Sequence, residues 1–243
     1  MKLRMLVVSL IGMLFFLAGV LLEIAVSGGV LWGEVETRLY TSQSGSLDLA
    51  VKCPLMLSFD ETGTISALII NSLEEEVKPM VTADISRNGN PQEFSETLIL
   101  APHESKTVAW NVEASNIIFG RLILVSIFQR TYRHLPSQQG YCGILLLDIF
   151  GLRGWQMLIL LCSVSLLCLI IGSVIWLRIH SPINEQDKVV VRPFASLAVL
   201  ATLALIAALL RWWGLIIILD GIALILIGVI FTEVLFIPGQ RRL

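Results

Sequence analysis

The chain reads as an α+β membrane protein, in which an extracytoplasmic antiparallel β-sandwich is carried by four transmembrane α-helices. Three observations predict this. The 243 residues are 56% hydrophobic and only 15% charged, with a mean hydropathy of +0.82, a composition suited to an integral membrane protein. Apolar residues gather in long runs, one before and three after a central stretch. That stretch, residues 46–150, alternates polar and apolar positions and is cut by turn residues at strand-length intervals.

Residues 1–27 are expected to form an N-terminal transmembrane anchor. Lys2 and Arg4 precede a run from Met5 to Val26 whose single acid is Glu23, and its length of about 22 residues is enough to cross a bilayer. Ala25-Val26-Ser27 has the small-x-small form of a signal-peptidase site, so a cleaved signal peptide is the alternative. In both readings the positive end stays in the cytoplasm and the following residues are exported. Residues 28–45 read as a tether, with Leu31, Trp32 and Tyr40 suited to the headgroup level.

Eight extended segments follow: Leu47 to Lys52, Leu55 to Phe59, Thr64 to Asn71, Met80 to Ser86, Phe94 to Leu100, Lys106 to Val112, Arg121 to Gln129 and Gly143 to Asp148. Their dividers, Asp60 to Gly63, Asn88 to Pro91, Ala101 to Glu104 and Leu135 to Gly140, are rich in turn-forming residues. Lys106 to Val112 alternates most clearly, with Val108, Trp110 and Val112 on one face and Thr107, Ala109 and Asn111 on the other. Strands of this length without an intervening helical period predict two antiparallel sheets packed face to face.

The run Leu98 to Val112, with Ala101-Pro102-His103-Glu104-Ser105 at its centre and Ile69-Ile70-Asn71-Ser72 before it, resembles the immunoglobulin-like modules of bacterial surface proteins. In that family a Pro-Gly-Glu-Ser turn leads into a strand alternating toward a buried aromatic, and this chain has His103 where glycine is usual. The resemblance implies an immunoglobulin-like β-sandwich placed outside the cytoplasm. It implies no activity, because such folds host many unrelated functions.

Beyond an elbow at Gly151 to Gly154, the remaining spans are expected at residues 155–177, 194–210 and 215–237, joined by a cytoplasmic loop at 178–193 and ending in a cytoplasmic tail at 238–243. Pro182 and Pro193 mark breaks in that loop, and Arg211 to Gly214 reads as a tight outer turn. Lys and Arg cluster at the N-terminus, the middle loop and the C-terminus, which puts both termini on the cytoplasmic side of a plasma membrane. Small residues let helices approach closely in lipid. Gly214, Gly221 and Gly228 recur every seven residues as a stripe, and Ala201, Ala204 and Ala208 offer a matching face. They are expected to pack the last two spans as a hairpin, or to receive a helix from another protein.

Four cysteines divide by compartment. Cys53 and Cys142 fall in the exported domain, where a disulfide is permitted, and their pairing would close a loop of about 90 residues, contributing roughly 4 kcal/mol on the chain-entropy account. Two buried free thiols are the alternative. Cys162 and Cys168 lie in the second span as apolar packing residues. Within the bilayer, Asp220 and Arg211 are positioned to form an ion pair across the last hairpin, and an intramembrane acid is also a candidate for an ion or proton path. Glu233 lies near the inner end, within reach of Arg241.

Chemistry is otherwise sparse. His103, His134 and His180 are scattered without a second ligand at metal spacing, and Gly-x-Ser-x-Gly, phosphate-loop and dinucleotide motifs are absent from the sequence. No catalytic residue, metal or cofactor is therefore expected. Glu74-Glu75-Glu76 reads as a solvated corner, and Arg130, Arg133 and His134 around Tyr132 as a solvated basic loop. A net charge of −2 points away from nucleic acid. The expected function is a non-enzymatic accessory or scaffold protein, with the lipid bilayer and a membrane or external protein as partners. A small channel or transporter component and a membrane receptor are the alternatives.

Overall fold

The computed structural model describes residues 2–40, 47–88, 91–130, 136–179 and 185–236. They divide into two compact units, Trp32–Leu158 and Met1–Leu31 with Ile159–Leu243.

The first unit is built on a β-sandwich of two sheets. Its strands are β1 (Leu47–Asp48), β2 (Val51–Lys52), β3 (Met56–Leu57), β4 (Gly63–Ile70), β5 (Met80–Ile85), β6 (Gln92–Thr97), β7 (Ser105–Val112), β8 (Leu122–Gln129) and β9 (Gln138–Leu146). The larger sheet runs β1-β9-β8-β5-β6, with β3 also on β9, and the smaller runs β2-β4-β7. Alternate residues from both sheets meet in one core, among them Ile65, Ala67 and Ile69 of β4, Val81, Ala83 and Ile85 of β5, Ile123, Val125 and Ile127 of β8, and Cys142, Ile144 and Leu146 of β9. Each fully buried aliphatic side chain contributes about 1.5–3 kcal/mol. Val108 and Val112 are buried and Trp110 half-buried on the expected face of β7.

Three strand expectations needed correction. Leu47 to Lys52 is two strands, because the Leu49 N–H donates to Gln139 O at 2.9 Å while Ala50 O accepts from the Leu68 N–H at 3.1 Å, handing the chain from the larger sheet to the smaller. The strand expected at Phe94 to Leu100 begins earlier, at Gln92, where it pairs with Ile85. The polar Gln138-Gln139-Gly140 segment, read as a turn, belongs to β9: it pairs with Gln129, Phe128 and Ile127, and Gln139 donates to Ser126. Cys53 and Cys142 form a disulfide with a Cα–Cα distance of 6.6 Å.

The tether is also corrected. Helix α1 (Lys2–Tyr40) runs unbroken through Gly28 and Gly29, although glycine costs about 1 kcal/mol per helical position. Packing holds its last turns. A Cβ on Gly33 would stand 3.0 Å from Gly143 Cα, Thr37 Oγ1 lies 2.6 Å from Gly33 O and 3.4 Å from Cys142 O, and the Arg38 guanidinium sits 5.5 Å from the Tyr141 ring centroid. Residues 41–46 of the expected tether lie outside the described residues.

The second unit contains most of α1 with α2 (Gly154–Ile179), α3 (Glu185–Leu209) and α4 (Trp213–Phe236). Two helices are long and apolar enough to cross a membrane, Val7–Leu39 and Gly154–Ile175, with mean hydropathies of 2.5 and 2.9. Pro193–Leu209 and Trp213–Val229 are shorter apolar helices, so the expectation of four transmembrane helices reduces to two by this measure among the described residues. Pro193, expected to end a loop, lies inside α3. Residues 180–184 of that loop, the tail from 237 onward, Tyr132, Arg133 and His134, and the Glu233 side chain lie outside the described residues.

Helices α3 and α4 pack together through a turn where Arg211 has φ 58°. Ala201, Ala204 and Ala208 are buried, as their spacing predicts, along with Ile216 and Ala223 of α4. The glycine stripe is not the seam. A Cβ at Gly214, Gly221 or Gly228 would meet nothing within 4 Å. Close backbone approach occurs instead between α1 and α2, where a Cβ on Gly19 would stand 2.9 Å from Ser165 O and one on Gly172 2.5 Å from the Phe16 nitrogen.

Candidate functional site

Four features of the molecule combine geometry with exposed or buried chemistry. The first is the end of the sandwich from which α2 leaves. β3 pairs Leu57 with Leu146 at the close of β9, and Leu122 at the start of β8 pairs with Leu145, so the loops holding Phe59, Phe119 and Phe150 share one end. These rings are 39%, 63% and 94% exposed. Phe119 and Phe150 have φ of 52° and 55°, each followed by a glycine also at positive φ, a left-handed conformation that costs a bulky residue about 1–2 kcal/mol. The same end fixes α2. The Gly154 N–H donates to Glu61 Oε2 at 2.8 Å, and Gly154 packs against Met56 and within 2.8 Å of Leu57 Cα if given a Cβ, leaving Trp155 58% exposed beside it. Along β9, Gly33, Thr37 and Arg38 meet Gly143, Cys142 and Tyr141 in that order. From Arg38 back to Gly33 the last turns of α1 therefore run toward the end where α2 begins.

Exposed charges at that end balance. Arg87, Arg121 and Arg153 stand with Asp60, Glu113 and Asp148.

The second feature is the outer face of the smaller sheet. Leu68 and Ile70 of β4 are 39% and 49% exposed, opposite Thr107 and Ser105 of β7, which is an edge strand. Unpaired edge backbone beside exposed aliphatic side chains is the arrangement that strand addition uses.

The third is the outer face of the larger sheet. Asp84 lies opposite Glu93 and Ser126, and burial, then the Glu93 charge, holds its carboxyl above the ordinary carboxylate range. Burial likewise raises the Tyr141 phenol, opposed by Arg38 and reinforced by Asp48. Among the described residues no group of three or more His, Cys, Asp and Glu is placed to hold a metal ion.

The fourth lies among the helices. Asp220 was expected to pair with Arg211, which sits at the α3–α4 turn about 13 Å away along the helix rise. The partner on its Oδ2 is instead Ser27 Oγ, at 2.8 Å, since α1 runs beside this part of α4. Glu23 is 1% exposed and stands one turn from Ser27. Cys162 and Cys168 are half-buried free thiols. Sequence reasoning noted Glu23 only as an acid near the end of a span, and it passed over Phe59, Phe119 and Phe150; the available signal was the Phe-Gly dipeptide, repeated at 119–120 and 150–151.

No family model matches the chain, and no curated protein matches it. Solved structures similar to it include the CARDB domain of the PF1109 protein from Pyrococcus furiosus, crystallised with di-metal ions, at 13% identity over 44% of this chain and 95% of that one, with a TM-score of 0.33. Red sea bream transglutaminase is similar at 12% identity over 44% of this chain and 17% of that one, with a TM-score of 0.35. A Bacteroides uniformis beta-glucuronidase is similar at 17% identity, covering 40% of this chain and 13% of that enzyme, with a TM-score of 0.32.

Proposed function

We propose that this chain is a non-enzymatic, membrane-anchored accessory or scaffold protein that holds an immunoglobulin-like domain against the outer surface of a plasma membrane for contact with another protein. The observation that carries the reading is the end of the sandwich where α2 begins and three phenylalanines are displayed. Each ring inserted into the lipid interface recovers up to about 1.5–3 kcal/mol of transfer energy, enough to offset the backbone strain at Phe119 and Phe150. The Cys53–Cys142 disulfide supports an oxidising compartment for the sandwich, and Lys2, Arg4 and Arg178 support cytoplasmic ends for α1 and α2. The apolar parts of α3 and α4, Pro193–Leu209 and Trp213–Val229, match the shortest length that spans a bilayer, and crossing as a hairpin they would return the C-terminus to the cytoplasm.

Leu68, Ile70 and the free edge of β7 form the surface offered to the partner. Purification from native membranes in mild detergent tests the role. A stoichiometric co-purifying chain that is lost in Leu68→Glu with Ile70→Glu, while the melting transition is kept, supports it; a lone particle in both preparations counts against it. A small transport component is the second reading, favoured by one observation, the acids buried among the helices.

A further inference from the structure

An ionised carboxylate moved into an apolar interior without a partner carries a penalty of several kcal/mol even after relaxation, yet the helical unit buries two. Glu23 is 1% exposed, and neither Oε has a hydrogen-bond partner. Asp220 is 8% exposed, and its Oδ1 has none. Neither makes an ion pair among the described residues. The surroundings are apolar: Val20, Leu169, Ala201 and Ala223 are buried in one cluster, and at Gly19, one turn before Glu23, α1 and α2 are in near backbone contact.

Ser27 meets Asp220 and stands one turn from Glu23. It follows Glu23 by four residues, so the two share a face of α1 with Cβ atoms about 5–6 Å apart. Its Oγ lies 2.8 Å from Asp220 Oδ2 and 3.2 Å from the Ile24 carbonyl oxygen. A hydroxyl has one proton to donate and faces two acceptors there. With Asp220 ionised, Ser27 can donate to only one of the two. With a proton on Oδ2, the acid can donate to Ser27 Oγ while Ser27 donates to Ile24 O, so both contacts are made at once. On α2, the groups beside Glu23 are Cys162 and the Ser165 hydroxyl, which is near enough to reach the carboxyl but whose proton goes to Gly19 O at 3.1 Å. α3 faces the bundle with Leu197, Ala201 and Ala204, and α4 with Ile216 and Ala223 beside Asp220.

We infer that Glu23 and Asp220, with Ser27, are a proton-binding site inside the helix bundle. Uptake adds H⁺ to a carboxylate oxygen to give the neutral acid, and release returns it to solvent. A metal cation fits less well. Calcium and magnesium take about six or more oxygen ligands, and here the backbone carbonyls are engaged in helices, leaving two carboxylates and two hydroxyls. The site goes beyond the module reading and stands whether or not the sandwich meets a partner.

The test uses the full chain in phosphatidylcholine vesicles at neutral pH. Infrared spectra should show the C=O stretch of a protonated carboxylic acid, and the apolar reagent dicyclohexylcarbodiimide, which adds to protonated buried acids, should label Glu23 or Asp220 but not the exposed Asp60 or Glu113. Glu23→Gln and Asp220→Asn should each remove their own part of the band and their own adduct, and replacing potassium by sodium should leave labelling unchanged. Absence of both band and adduct in the wild-type protein overturns the inference. Protection by sodium overturns it in favour of a metal-cation site. Because the adduct is mapped on wild-type peptides, the outcome is decisive even if neither variant folds.

Discussion

Replacing Gly143 by alanine sets a methyl group against the end of α1. It would stand 2.5 Å from the Gly33 carbonyl oxygen and closer still to the Gly33 Cα and carbonyl carbon, where ordinary carbon contacts need about 3.5–4.0 Å. Both sides of the contact are backbone, so no side chain can rotate away. Strain of this kind costs about 1–3 kcal/mol. Between Trp32 and Leu158, the compact unit holding both glycines, each kcal/mol shifts the Tm by roughly 3–5 °C, so the fall should be roughly 3–15 °C. Gly33→Ala is the control. Its methyl meets Gly143 Cα at 3.0 Å, and alanine in place of glycine in a helix gains about 1 kcal/mol, so its Tm should move little. Near-UV circular dichroism melts of the full chain in detergent measure both. Equal Tm values for Gly143→Ala and wild type, or the larger loss in Gly33→Ala, would refute the docking of α1 on β9.

Three further outcomes are expected. Cys53→Ser with Cys142→Ser should lower stability by up to roughly 4 kcal/mol through the freed unfolded chain, read as a denaturant midpoint shift that reductant reproduces in the wild type; an unchanged midpoint would mean that the crosslink adds no stability. His103 has φ 58° in the position that glycine occupies in similar turns, and His103→Gly should raise stability by up to about 1 kcal/mol by relieving left-handed strain, whereas a loss would mean the imidazole makes a needed contact. The folded state raises the Asp84 carboxyl, so it binds that proton more tightly than the unfolded chain does; this contribution is fully present below the ordinary carboxylate range and lost as pH rises through the raised folded value. Asp84→Asn should therefore melt higher than wild type at neutral pH, with the gap closing in acid. A gap independent of pH contradicts it.

Sandwich strands β4, β5, β7 and β8 were legible because alternation is a local property: a residue two positions on faces the same way whatever the strand pairs with. Segments at the margins were not. Leu47 to Lys52 splits between sheets according to which neighbour accepts its N–H groups, and Gln138 to Gly140 becomes strand only because β8 extends to meet it. The glycine stripe of α4 shows the same limit among the helices. A seven-residue repeat predicts a smooth face, but Gly12 and Gly19 of α1 have that spacing too, and tertiary packing uses α1.

From the sequence alone came composition, apolar runs, strand alternation and the pair Cys53 and Cys142, because each depends on residue type and spacing along one chain. Tertiary structure alone decided that α1 continues to Tyr40 and docks on Gly143, that Ser27 rather than Arg211 meets Asp220, and that Phe59, Phe119 and Phe150 share an end with the start of α2. The reason is that each of these joins residues more than about a hundred positions apart or loops separated by whole strands, and such neighbours are chosen by packing and hydrogen-bond satisfaction, which leave no period in the sequence.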